Sequence, residues 1–431
     1  MIKRILTTLL ATTCLFFLPF SRGGVLAQEK PVPPAAGPVV PGRSLGPPPG
    51  AGLEGSDPEP EEQAEEAPAI PVPAANAKPG APGVPGSQLL DRTRSLLGEI
   101  EVLDIPLQEI PNYRASMREM VEDLATYAEK RDPNFIVVTR PGFDLLSWSR
   151  REFDLAEIKR DPFAKIPQDS IVQVGTPMRR YIQSIDGFML NGQFCAPLRV
   201  PAADLQVMLK QGLKALTIEH CGTPDQASAA LQTAVRMGVV SHIDLDDTDD
   251  FARTPTRRPS PENPRNVETL LGARNMVMLL DSRDYETREE WFAAMARTNY
   301  DILVTDAFYK GNRSLTKDEV HHLKFKEMGA RRLVLARMSV GYAEDERFYW
   351  QRDWRIGEPS WIQALGPERA GQYVVEFWNP AWKAIVGRYF AGIMDLGFDG
   401  VVLDGVEAYR RWEFMTPLDP VSATRRNETQ R

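Results

Sequence analysis

The stretch Phe398-Asp-Gly-Val-Val-Leu-Asp-Gly-Val-Glu-Ala-Tyr409 carries the clearest fold signal in the chain. Val401–Leu403 is an apolar run suited to one buried strand. Asp404 stands at its C-terminal end, and the turn residue Gly405 separates it from a second acid, Glu407. In a parallel barrel the C-terminal strand ends face the ligand, so both acids are expected at a site. The alternative for Asp404 is a cap on the following helix.

Seven further strand-like runs precede this one: Phe135–Thr139, Ile185–Leu190, Ala215–Glu219, Val239–Leu245, Met276–Asp281, Ile302–Asp306 and Leu333–Ser339. Helical patterns lie between or before them at Tyr113–Lys130, Asp225–Met237, Arg288–Arg297, Lys317–Met328 and Pro380–Leu396. Eight strands alternating with helices predict an α/β fold, a (β/α)8 TIM-type barrel with insertions over residues 88–420. A doubly wound open sheet shares these local patterns and is the alternative.

Ahead of the barrel, a basic Met1–Arg4, an apolar Ile5–Phe20 and small residues up to Ala27 read as a signal peptide over 1–27. The apolar run falls short of the roughly 20 residues of a spanning helix, so no stable membrane span is expected after its removal. A retained anchor is the alternative. Residues 28–87 are rich in Pro, Ala, Gly and Glu and read as a disordered linker, and 421–431 as a disordered tail. Loss of Lys3, Arg4 and Arg22 moves the formal charge from −8 to −11, which argues against a nucleic-acid partner. The expected location is secreted or periplasmic. There Cys195 and Cys221 can pair, or remain two buried thiols.

Acids recur at the strand ends: Asp281, Asp306, Asp404 and Glu219 beside His220, with Glu344 and Asp345 just past Leu333–Ser339. Converging carboxylates drive their protonation equilibria apart, giving the donor and the ionised partner that glycoside hydrolysis needs. Aromatic residues crowd the stretch before the last strand. Tyr342 and Trp378 adjoin acids and are candidate sugar platforms, whereas Phe348, Tyr349, Trp350, Trp354, Trp361 and Tyr373 are expected to pack the insertion. The acidic run at Asp244, Asp246, Asp247, Asp249 and Asp250 lacks the glycine and terminal glutamate of a calcium loop and reads as solvated. His220, His242, His321 and His322 show no ligand spacing, so neither a metal nor a cofactor is expected.

Three ordered motifs point to a family: Met338-Ser-Val-Gly-Tyr-Ala-Glu-Asp-Glu-Arg-Phe-Tyr-Trp350, Phe377-Trp-Asn-Pro-Ala-Trp382, and the stretch closing at Tyr409. With Tyr300–Asp306 they resemble the endo-α-1,4-polygalactosaminidase family, glycoside hydrolase family 114. The segments Met117–Leu146, Ile185-Asp-Gly187 and Ala215–Leu245 resemble the same family in exchanged order, as a circular permutation would produce. The resemblance implies a (β/α)8 barrel acting on galactosamine-containing polysaccharide, with Asp404 as one catalytic carboxylate. The expected glutamate partner is replaced by Asn191, an amide that cannot donate a proton as a general acid does. Arg140-Pro-Gly142 stands where the family has Gln-Asn-Gly, and Gly341-Tyr-Ala-Glu344 where it has Gly-Glu-Ala-Glu. Glu344 or Glu219 is then the remaining acid, Asp306 positions the sugar or tunes Asp404, and Tyr342, Trp378, Arg140, Asn191, Glu407 and Tyr409 are the substrate-binding candidates. A binding barrel that has lost catalysis is the alternative function.

Overall fold

The structure, a computed structural model, describes residues 103–161, 163, 172–195, 200–244, 251–255, 258–366 and 369–418. The signal-peptide, linker and tail readings lie outside the described residues, as does the acidic run at 246–250.

Among the described residues thirteen strands follow in chain order. They are β1 (Ile136–Arg140), β2 (Gly187–Asn191), β3 (Lys214–His220), β4 (Val240–Asp244), β5 (Met276–Leu279), β6 (Ile302–Asp306), β7 (Phe308–Tyr309), β8 (Arg313–Ser314), β9 (Leu333–Ser339), β10 (Tyr342–Glu344), β11 (Ile362–Leu365), β12 (Gln372–Val375) and β13 (Gly400–Asp404). Eight of them form one parallel sheet in the order β4-β3-β2-β1-β13-β9-β6-β5. The first and last strands pair from Ile136 opposite Gly400 to Arg140 opposite Asp404. At the remaining gap β4 lies beside β5 without a ladder among the described residues, so the sheet is a nearly closed TIM-type barrel. Pairing of first and last strands is common to every such barrel and does not distinguish a permuted chain order from an ordinary one.

Strand periodicity divides the core into two layers. Ile136, Val138, Met189, Leu216, Ile218, Ile302, Val304, Leu333, Leu335 and Val402 fill the barrel interior. Their neighbours Val137, Phe188, Ala215, Leu303, Val334 and Val401 face outward onto the helices.

The helices begin where short polar side chains cap them. Ser149, Thr287 and Thr316 each form a reciprocal capping box with a glutamate three residues on. Asn379 and Pro380 open the long helix Pro380–Leu396, which ends at left-handed Gly397. One helix is shorter than the sequence pattern suggests: Lys317–Leu323 stops before Lys324. The reason lies in Lys326, whose fully buried ammonium donates to the carbonyls of Asn263 and Arg265 and to Asp301 at 2.7 Å. That demand pulls the chain out of the helix and across the barrel floor.

The insertion between β9 and β13 forms a small antiparallel sheet, β10-β12-β11. Its aromatics pack on one another: Trp350 stacks on Tyr373 at 4.6 Å, and Trp354 meets Trp361 edge-on at 5.0 Å.

Candidate functional site

The period of two that fills the barrel also decides what stands at its mouth. Arg140 continues the inward face of Ile136 and Val138, Asn191 that of Met189, and Asp306 that of Ile302 and Val304. Arg337 follows Leu333 and Leu335, and Asp404 follows Val402. Apolar layers therefore end in a polar layer at the C-terminal face, where barrel sites form. Glu219 has the opposite parity to Leu216 and Ile218 and leaves the axis.

Glu344 reaches this layer through two touching turns. A Cβ on Gly341 would sit 2.0 Å from the carbonyl oxygen of Gly405 and 2.5 Å from the Ala408 Cβ. Only glycine lets the turn before β10 press against the turn after β13, which brings the Glu344 and Asp404 motifs together.

The assembled site is a chain of alternating charges. Asp404 Oδ2 accepts from Arg337 Nε at 2.7 Å and lies 3.7 Å from Arg140 Nη1. The same Arg337 donates from Nη1 to Glu344 at 2.6 Å. Glu344 Oε2 accepts from Arg347 Nε at 2.5 Å, and Arg369 also bonds its Oε1. Arg347 forks onto both oxygens of Asp306, at 2.8 and 2.7 Å. At the other end Arg140 Nε lies 3.4 Å from the amide oxygen of Asn191.

Burial pushes the Asp404 and Glu344 carboxyls up, but the guanidiniums outweigh it. Arg140 and Arg337 hold Asp404 below its ordinary value, and Arg337, Arg347 and Arg369 hold Glu344 far below. Both are carboxylates at neutral pH. The Asp404 side chain retains 14% exposure, and that of Glu344 only 3%.

Of the residues expected at a site, Asp404, Glu344, Asp306, Arg140 and Asn191 come together. Glu219 is fully buried and accepts from the backbone N–H groups of Gln193, Phe194 and Cys195 at 2.9–3.1 Å. Beside it Cys195 and Cys221 form a disulfide, so the loop after β2 is held twice. Tyr342 is buried, its ring edge against Gly405. Trp378 packs at the rim between Tyr113 and Trp412, with ring centres 5.1 and 4.6 Å away. Tyr409 is buried under the Arg114 guanidinium, which lies 4.5 Å from its ring centre. Glu407 is partly buried on the turn after β13. Asp281 lies two residues past β5 and pairs with Arg283.

Three arginines of the layer, Arg337, Arg347 and Arg369, are absent from the residues the sequence singled out. Arg337 was detectable as a charge inside the otherwise apolar Leu333–Ser339 run, on the same strand face as Leu333 and Leu335. Arg347 and Arg369 lie in the irregular insertion and gave no such signal.

Two clefts lie away from this site. One, of about 390 Å³, is on the opposite face, lined by Arg131, Asn134, Lys324, Arg331 and Asp399 among others. The other lies along the outer helix at Glu289, Ala293 and Arg297. Neither gathers groups suited to catalysis. Among the described residues no His, Cys, Asp and Glu side chains cluster as metal ligands, and no helix is long and apolar enough to cross a membrane.

No family model matches the chain. It is 33% identical over 154 residues to an uncharacterized protein of Methanocaldococcus jannaschii, covering 36% of this chain and 44% of the relative. It is 27% identical over 163 residues to an uncharacterized protein of Thermotoga maritima, covering 37% and 49%. An uncharacterized protein of Deinococcus radiodurans is 40% identical over 80 residues, covering 19% and 26%. The chain thus spans less than half the length of each of these curated relatives.

Proposed function

We propose that this protein is a glycoside-hydrolase-like barrel that binds a polysaccharide at its C-terminal mouth, outside the cytoplasm, and holds it without cleaving it. The observation that carries this reading is the pairing of both carboxyls with guanidiniums, Arg337 Nε lying 2.7 Å from Asp404 and its Nη1 2.6 Å from Glu344. Glycoside hydrolysis needs one carboxyl kept neutral to protonate the leaving oxygen, and the guanidiniums of Arg140, Arg337 and Arg347 work against that at both positions. Planar arginine and carboxylate groups at a barrel mouth still suit the hydroxyls of a sugar. The Cys195–Cys221 disulfide supports an oxidising compartment.

A hydrolytic second reading is favoured by one feature. Arg337 bridges Asp404 and Glu344 through adjacent nitrogens, so the two carboxylates stand within about 8 Å of each other, inside the range of glycosidase pairs. The galactosamine-containing class is the first to test. A partly N-acetylated galactosamine polymer is incubated with wild type and with Asp404→Asn, and both retention on the polymer and new reducing ends are measured. Retention weakened in Asp404→Asn, with no reducing ends from either, is expected. Release by wild type that falls at least about a hundredfold in Asp404→Asn would replace binding with hydrolysis.

A further inference from the structure

Two lysines stand at the barrel floor, and their ammonium groups are met differently. Lys326, whose side chain has no exposed surface, donates to the carbonyls of Asn263 and Arg265 and to one oxygen of Asp301. The other Asp301 oxygen accepts from the Asn263 amide and the Arg274 N–H. Lys214 is the first residue of β3 and has the inward parity of Leu216 and Ile218, so it stands below the lowest apolar layer, and it is 8% exposed. Among the described residues no hydrogen bond or ion pair reaches its Nζ. Its register neighbour on β2 is Gly187, which has no side chain to offer. Asp186, just before β2, turns its carboxylate to the Val137 N–H instead.

An ammonium held out of water without a partner is costly. Lysine escapes that cost by giving up its proton, which leaves a lone pair on Nζ and makes the amine a nucleophile. Burial pushes the Lys214 ammonium below its ordinary value, and the attraction of Asp301, already bonded to Lys326, offsets only part of this. Lys326 is closed to reagents by the three oxygens around its Nζ. Lys214 combines an unengaged Nζ with a remaining opening to solvent.

We infer that Lys214 is a reactive amine, an acylation site at the barrel floor that takes the acyl group of an activated donor such as a thioester or an anhydride. Nζ adds its lone pair to the acyl carbon, the bond to the leaving group breaks with its electrons, and the surplus proton on nitrogen passes to the leaving group or to water. The product is an uncharged amide, so the modification removes an unpaired charge from the floor. This site is independent of the saccharide reading and lies at the other end of the barrel. The test is trace labelling of the folded, full-length protein with acetic anhydride between about pH 6 and pH 10, which brackets lysine titration, followed by peptide mass spectrometry. Exposed Lys130 and Lys317 serve as internal standards. At neutral pH Lys214 is expected to be acylated about threefold or more faster than either standard, and to reach half its full rate at a lower pH, while Lys326 stays unlabelled. A Lys214 rate no greater than that of the standards, or labelling only after the chain is unfolded, overturns the inference. Two variants give a second reading. Lys214→Met should keep the thermal midpoint within about 2 °C of wild type or raise it, whereas Lys326→Met strands Asp301 and should lower it by several times that. A loss in Lys214→Met as large as that in Lys326→Met would show that partners hold the Lys214 ammonium, and the inference fails.

Discussion

Arg337 on β9 and Asp404 on β13 face each other at 2.7 Å across adjacent parallel strands, both on the inward face of the barrel. Their pairing is the joint between the two halves of the charged layer, since Arg337 also holds Glu344. Removing one partner of a buried ionic pair leaves the other charge uncompensated in a poor solvent. Arg337→Met is therefore expected to lower stability by about 3–5 kcal/mol, visible as a large drop in thermal midpoint. A midpoint within a degree of wild type would mean that Asp404 and Glu344 are solvated without it.

The same pairings set the response to acid. Both carboxyls have folded values below their unfolded ones, so the stability they contribute is complete above about pH 4, their unfolded range. It is lost as pH falls from there toward their folded values. Thermal midpoints should fall steeply between about pH 4 and pH 2. Glu344→Gln, which has no proton to take up, should start from a lower midpoint at pH 7 and show a shallower fall. An equal slope for variant and wild type would assign the acid response to other carboxylates.

The loop after β2 carries two restraints within a few residues of Asn191, whose amide oxygen meets Arg140. Opening the Cys195–Cys221 disulfide, across a separation of 26 residues, is expected to cost about 3 kcal/mol. Glu219→Gln replaces a carboxylate that accepts three backbone N–H groups with an amide whose NH2 cannot accept, at a cost of about 1–3 kcal/mol. Both restraints hold one short segment, so the Glu219→Gln, Cys195→Ser, Cys221→Ser combination should cost less than the sum of the separate losses. Strict additivity in chemical denaturation would show two independent restraints.

The barrel was readable from local pattern because its strands are buried on both faces, and such strands appear as apolar runs bounded by turns. Ile302–Asp306 and Leu333–Ser339 are strands at the residues the sequence marks, and the others shift at their ends by one or two residues. Asp404 and Asp306 were visible for the same reason, as acids closing such runs, whereas Arg140 came from the family resemblance, where Arg140-Pro-Gly142 replaces Gln-Asn-Gly. Glu219 has an equally acidic strand end but the wrong parity, and counting from Leu216 and Ile218 was enough to turn it away from the axis. Arg347 and Arg369 could not be placed this way. Arg347 meets Asp306 41 residues away and Arg369 meets Glu344 25 residues away, and the irregular insertion that carries both arginines has no period to count.

The contact between the turns at Gly341 and Gly405 gives the most direct check on how the layer is assembled. Gly341→Ala puts a methyl group 2.0 Å from a backbone oxygen, which no rotamer change relieves. The turns must separate, at a cost of about 3 kcal/mol or more, and Glu344 moves away from Arg337 and Asp404. Gly387, inside the helix Pro380–Leu396, has open space where its Cβ would be. Gly387→Ala removes only backbone freedom from the unfolded chain and should add about 0.5–1 kcal/mol. Thermal midpoints of the two variants should therefore move in opposite directions, with saccharide binding lost in Gly341→Ala and kept in Gly387→Ala. If the two behaved alike, the approach of the turns would not be what joins Glu344 to Asp404, and the charged layer would have to be held by its arginines alone.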